Sequence, residues 1–148
     1  MKLQVLHGPN LNLLGTREPE VYGTVTLAEV DERIRGVADE LGVEVEIVQS
    51  NHEGALIDAV QQAAASTAGF VVNAGGYTHT SVALRDALVA SERPFVEVHV
   101  SNVFAREPFR RESLLAAVAL GTVSGFGAES YTLAVRGLVR HLTEIDRG

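Results

Sequence analysis

No cysteine occurs in the 148 residues, which removes disulfides, a thiol nucleophile and thiolate metal ligands together. Lysine is almost as scarce. Lys2 is its only occurrence, at the start of the first apolar run. Long hydrophobic runs are absent too, so no segment reaches membrane-spanning length. Met1-Lys2-Leu3-Gln4-Val5-Leu6 reads as the entry to a strand and not as a signal peptide, so the expected location is cytoplasmic, without a membrane partner. Basic residues number 12 against 19 acidic ones, giving a net charge of -7 and a pI near 5.2. The few cations are scattered, which excludes nucleic acid as a partner, since phosphate binding needs clustered Lys and Arg. The histidines and carboxylates show no metal-ligand spacing. Two glycine-rich stretches, Asn73-Ala74-Gly75-Gly76 and Ser124-Gly125-Phe126-Gly127-Ala128-Glu129, complete neither the dinucleotide nor the Walker pattern. No metal and no cofactor are expected. The length suits one domain, residues 1-148, large enough to bury roughly two thirds of the surface of its unfolded chain.

What is present is an alternation of short β-branched runs with longer helical patterns, the signature of a doubly wound α/β sheet. The strands expected are Leu3 to His7, Val43 to Gln49, Gly69 to Asn73, Pro94 to His99 and Leu120 to Gly125. Thr26-Leu27-Ala28-Glu29 is a capping box for a helix whose apolar stripe is Leu27, Val30, Ile34, Val37 and Leu41, ended by Gly42. Ser50-Asn51-His52-Glu53 reads as a second capping box before Leu56, Ile57 and Val60. Thr80 or Ser81 can cap a third helix with Val82, Leu84, Leu88 and Val89, and a last helix carries Leu133, Leu138, Leu142 and Ile145. The expected architecture is a flavodoxin-like three-layer sandwich with a five-stranded parallel sheet in the order 2-1-3-4-5.

Ligands of such sheets collect at the carboxyl ends of the strands, near the reversal of strand order. Asn10 follows the first strand, Asn73 ends the third and His99 ends the fourth, so in this order the three meet in one crevice. Each also has a plainer reading. Asn10 and Asn73 suit turns that bond to their own backbone. Glu97 shares a strand face with His99, either as a carboxylate orienting an imidazole or as a structural polar pair. Arg106 and Arg111 read as solvated surface, and His7, His52 and His141 as structural.

The most informative segment is Leu6-His7-Gly8-Pro9-Asn10-Leu11-Asn12-Leu13-Leu14-Gly15-Thr16-Arg17-Glu18-Pro19-Glu20-Val21-Tyr22-Gly23, a strand running into a long polar loop whose side chains are free for a ligand. It resembles the signature segment of type II 3-dehydroquinate dehydratases, including the Arg-Glu-Pro and Tyr-Gly of that family's mobile lid. Asn73 to Ser81, Arg85-Asp86, Glu97-Val98-His99-Val100-Ser101-Asn102 and Arg106-Glu107-Pro108-Phe109-Arg110 resemble the remaining family blocks in order and spacing. Phe104 and Arg111-Glu112 depart from the histidines often found there, at positions that do not carry the chemistry.

The resemblance implies anti dehydration of 3-dehydroquinate to 3-dehydroshikimate through an enolate, in the shikimate pathway or in quinate breakdown. It implies Tyr22 as base, Arg17 as the group that makes the base effective, Asn10 as holder of the water at the enolate, and His99 as acid oriented by Glu97. The substrate carboxylate would lie on the backbone and hydroxyl around Val100 and Ser101, and the ring hydroxyls on Asn73, His79 and Arg110. Asp86 would lie beside a subunit boundary in a homododecamer of trimers. A tyrosine is a poor base at an ordinary pKa of about 10, and bringing it into the neutral range takes roughly 3 to 4 kcal/mol of differential stabilisation of the anion. Arg17 is the candidate for that. The alternative dehydration route uses a lysine imine, and Lys2 lies at the wrong end of the sheet for it. A rival reading from another class is a flavodoxin-like receiver or FMN carrier. The acidic cluster and hydroxyl-rich phosphate loop that those need are missing.

Overall fold

Five segments rich in Val, Ile and Phe pair into one parallel sheet in the computed structural model, which describes residues 1-147. They are β1 (Lys2–His7), β2 (Glu44–Gln49), β3 (Gly69–Asn73), β4 (Phe95–His99) and β5 (Gly121–Ser124), in the order β2-β1-β3-β4-β5. Expected and observed bounds differ by one residue or less at every strand end. Every residue of β3 and β4 is buried, as parallel strands covered on both faces require, whereas the edge strands β2 and β5 are partly exposed. Gly148, the last residue of the expected domain, lies outside the described residues.

Neighbouring side chains on a strand point to opposite faces, and the core divides accordingly. Val5, Val71 and Val98 pack with α2 (Leu27–Leu41) and α5 (Glu129–Arg147), while Leu6, Val72 and Phe70 pack with α3 (Glu53–Ala63) and α4 (Val82–Ala90). The first cap is as expected: the Thr26 side chain accepts from the Glu29 N–H at 3.2 Å, and α2 ends at Gly42 with φ 71°. Ser81, not Thr80, caps α4, accepting from Leu84 N–H at 2.9 Å.

Two helix expectations need correction. Ser50 does not cap α3; its hydroxyl accepts from His52 N–H at 3.0 Å, and the helix begins three residues later at Glu53. The chain is held out of the helix there because Asn51 Oδ1 accepts from Asn10 N–H at 2.9 Å and from Gln49 Nε2 at 3.3 Å. On α5 the buried face is Tyr131, Ala134, Val135, Leu138 and Val139, whereas Leu133 and Ile145 are exposed. A stripe traced through leucine and isoleucine alone leaves out Tyr131, Ala134, Val135 and Val139, which belong to it. Val82 and Val89 on α4 likewise face outward.

The sheet brings the loops together at its carboxyl edge. His7 is in register with Asn73, and Gly8 follows with its N–H donating to Asn73 O at 2.7 Å. A β-carbon on Gly8 would lie 2.3 Å from Ala74 O, so only glycine permits this approach of the two chains.

Candidate active site

At this edge the loops after β1, β3 and β4 enclose a cleft of about 150 Å³, room for one small molecule. Nine of the eleven residues singled out from the sequence line it: Asn10, Arg17, Tyr22, Asn73, His79, His99, Val100, Ser101 and Arg110. Glu97 stands behind His99 and reaches the cleft only through it. Asp86 lies on the exposed side of α4 and lines none of the cleft within this chain.

The loop after β1 turns at Asn10, which holds φ 68°, a left-handed value that asparagine tolerates better than most residues. Its backbone is pinned by Asn51, and its side chain makes no hydrogen bond among the described residues, so the amide is available to a ligand. The loop is not structureless: Pro19 opens a single helical turn, α1 (Pro19–Tyr22), proline being favoured at a first helical position, and the turn carries Tyr22 inward to pack partly on the core. The Arg17 guanidinium carbon lies 5.1 Å from the centre of the Tyr22 ring.

Sequence alone marks Arg106 as solvated surface, and the structure corrects this. Its guanidinium carbon lies 5.0 Å from the Tyr22 ring centre, and it lines the cleft with Arg17 and Arg110. A signal for it was available: Arg106-Glu107-Pro108 repeats Arg17-Glu18-Pro19, and in both a short helical turn starts at the proline. Among the described residues three arginines and no carboxylate line this cleft, in a chain of net charge -7, which makes it a local trap for a small anion.

His99, at the end of β4, is 7% exposed, and its Nε2 lies 2.9 Å from Glu97 Oε2. A carboxylate oxygen only accepts, so Nε2 carries the hydrogen and Nδ1 is the nitrogen left for proton exchange. The other oxygen of Glu97 accepts from Ser113, a residue the sequence reading did not single out. Ser113 Oγ itself accepts from the N–H groups of Leu115 at 3.1 Å and Ala116 at 3.0 Å, which commits its proton to Glu97. Nothing in the sequence links Ser113 with Glu97, since a loop brings them together across sixteen positions. His79 bonds through Nδ1 to Glu112 O at 2.6 Å, so in the neutral ring Nε2 is an acceptor. Asn73 accepts at Oδ1 from Gly75 N–H at 3.1 Å, a turn bond like the plainer reading, yet the residue also lines the cleft.

This constellation has known counterparts. A family model described as "Dehydroquinase class II" matches residues 1-139. The chain belongs to that family. It is 57% identical over 142 residues to a 3-dehydroquinate dehydratase of Gemmatimonas aurantiaca, covering 96% of this chain and 93% of the relative. It is 50% identical over 143 residues to a protein of the same name from Prochlorococcus marinus, covering 97% of each. The crystal structure of a type II dehydroquinase from Butyrivibrio crossotus superposes with a TM-score of 0.91 at 44% identity, over 93% of this chain and 97% of that one. A 3-dehydroquinate dehydratase-like protein from Bifidobacterium longum gives a TM-score of 0.71 at 29% identity, over 97% and 98% of the two chains. Among the described residues of this class II dehydroquinase, no helix is long and apolar enough to cross a membrane.

Proposed function

We propose that Tyr22 and His99 serve as base and acid in the dehydration of 3-dehydroquinate to 3-dehydroshikimate that this class II dehydroquinase catalyses. The observation that carries the reading is that one cleft holds both a phenol flanked by two guanidinium groups and an imidazole backed by a carboxylate. The Tyr22 phenolate takes a proton from the carbon beside the ketone, and the electron pair moves onto the carbonyl oxygen as an enolate. Arg17 and Arg106 hold the phenolate charge before that step. Asn10 fixes a water against the enolate oxygen. The enolate then collapses: the carbon-oxygen bond to the leaving hydroxyl breaks, the ring double bond forms, and the His99 imidazolium gives its Nδ1 proton to the departing oxygen, which leaves as water. Proton exchange with solvent restores Tyr22 and His99.

The substrate carboxylate lies on the Val100-Ser101 backbone and the Ser101 hydroxyl, within the field of the arginines, and Asn73, His79 and Arg110 take the ring hydroxyls. Asp86, remote from this cleft, serves a neighbouring subunit's site in a dodecamer of trimers. The chain acts in the cytoplasm as one catalytic unit, without cofactor or metal. Incubation of purified protein with 3-dehydroquinate should produce the ultraviolet absorbance of a conjugated enone, at an initial rate proportional to protein concentration. No absorbance change at high protein concentration would refute the reading.

A further inference from the structure

His7 is fully buried, and the chemistry above makes no use of it. Its Nε2 lies 2.8 Å from Asp31 Oδ1 on α2, and its Nδ1 lies 3.1 Å from the Tyr131 hydroxyl on α5. The same hydroxyl lies 2.9 Å from Nδ2 of Asn73. Hydrogen-bond polarity assigns every proton in this chain of groups. The Gly75 N–H can only donate, so it fixes Asn73 Oδ1 as the acceptor and turns Nδ2 toward Tyr131. Tyr131 oxygen therefore accepts from Asn73, and its own proton has His7 Nδ1 as its only acceptor among the described residues. The Asp31 carboxylate can only accept, so His7 carries its hydrogen on Nε2. The two ring nitrogens are thereby assigned by two different helices.

We infer that Asp31, His7 and Tyr131 form a positioning relay that holds the Asn73 amide so that it offers an N–H, and not its carbonyl oxygen, to the substrate in the cleft. An asparagine amide is nearly isosteric with its flipped form, so packing alone does not choose between donor and acceptor. The relay chooses. One Nδ2 hydrogen is spent on Tyr131 and the other is left for a ligand hydroxyl, while His79 offers an acceptor nearby, so the two groups present opposite polarities to the ring hydroxyls. Burial pushes the Tyr131 phenol above its ordinary range, against the opposing hydrogen bond from Asn73, so the hydroxyl keeps its proton and the relay its direction. The ring of Tyr131 meets that of His7 edge to face with centroids 5.2 Å apart, so the two rings also pack on each other.

The inference rests on the reading of Asn73 as a substrate contact, and steady-state kinetics with 3-dehydroquinate separate the two. Tyr131→Phe keeps the buried ring and should raise KM about five-fold or more, the scale of one lost hydrogen bond, while kcat stays within about two-fold. In an Asn73→Ala background the same change should add less than about two-fold to KM, because it acts through the missing amide. His7→Leu should behave like Tyr131→Phe, and His7→Gln, which can accept from the phenol and donate to Asp31, should restore the parent KM. A parental KM in Tyr131→Phe, or effects that multiply in the double variant, would overturn the relay; both measurements stand even if His7→Leu does not fold. If Asn73→Ala itself leaves KM unchanged, the substrate contact is wrong and the relay falls with it. If Asn73→Ala raises KM but Tyr131→Phe does not, the relay alone is wrong.

Discussion

Arg106 and Arg17 reach the Tyr22 ring from different loops, with guanidinium carbons 5.0 and 5.1 Å from its centre. Arg17 is also 3.8 Å from Glu18, so part of its charge is answered locally, whereas among the described residues no carboxylate bonds Arg106, whose Nη1 is 3.5 Å from the Ser101 hydroxyl. If both cations stabilise a phenolate, each single alanine variant should lose at least about ten-fold in kcat, as expected when one charge near an ionised base is removed. Residual activity should climb further into the alkaline range than in the parent. A parental pH profile in both variants would show that neither arginine serves the base.

Tyr22→Phe should lower kcat by more than about 100-fold, the usual scale for losing a general base, and leave substrate affinity within a few-fold. The groups proposed to hold the substrate carboxylate and ring hydroxyls lie at the ends of β3 and β4 and on the loops that follow them. Equilibrium binding measured beside turnover tests both halves; substantial turnover in the phenylalanine variant would assign proton abstraction to another group.

His99→Ala should cost at least about 100-fold in turnover, because no second imidazole is held against Glu97. Ser113→Ala should cost less, about ten-fold in kcat with KM little changed, since it frees one oxygen of Glu97 without removing the acid. Equal losses in the two variants, or none in Ser113→Ala, would contradict this order.

Borohydride added with substrate should leave activity intact and no covalent adduct. Lys2 is the only lysine, and its ammonium lies 2.8 Å from Glu46 on β2, at the amino end of the sheet. Substrate-dependent inactivation with a matching mass increase would instead point to an imine.

Gly8→Ala and Gly36→Ala should have opposite effects on stability. The first drives a β-carbon to 2.3 Å from Ala74 O and should lower stability by about 1–3 kcal/mol, the range for overpacking, while displacing Asn73. The second adds a methyl to an exposed position within α2 that meets nothing within 4 Å, and should raise stability by about 0.5–1 kcal/mol with activity unchanged. Thermal or denaturant unfolding of the two variants decides.

The order of strands and helices was legible in the sequence because it depends on local properties: β-branched runs of strand length, the Thr26 cap, the Gly42 stop and a period near 3.6 in α2. The pairing of Glu97 with His99 was legible for the same reason, since two positions along a strand share a face. Family resemblance supplied Arg17 and Tyr22, which no periodicity marks. What the tertiary structure decided lies between elements far apart in the chain. Arg106 joined the cleft, Ser113 joined Glu97, Asn51 displaced the start of α3, and His7, silent as a buried strand residue, joined Tyr131 across 124 positions. A sequence states which side chains can donate or accept along one strand or helix face. Which donor meets which acceptor across the molecule is settled only when two sheet faces are packed and nearly all buried polar groups must find a partner.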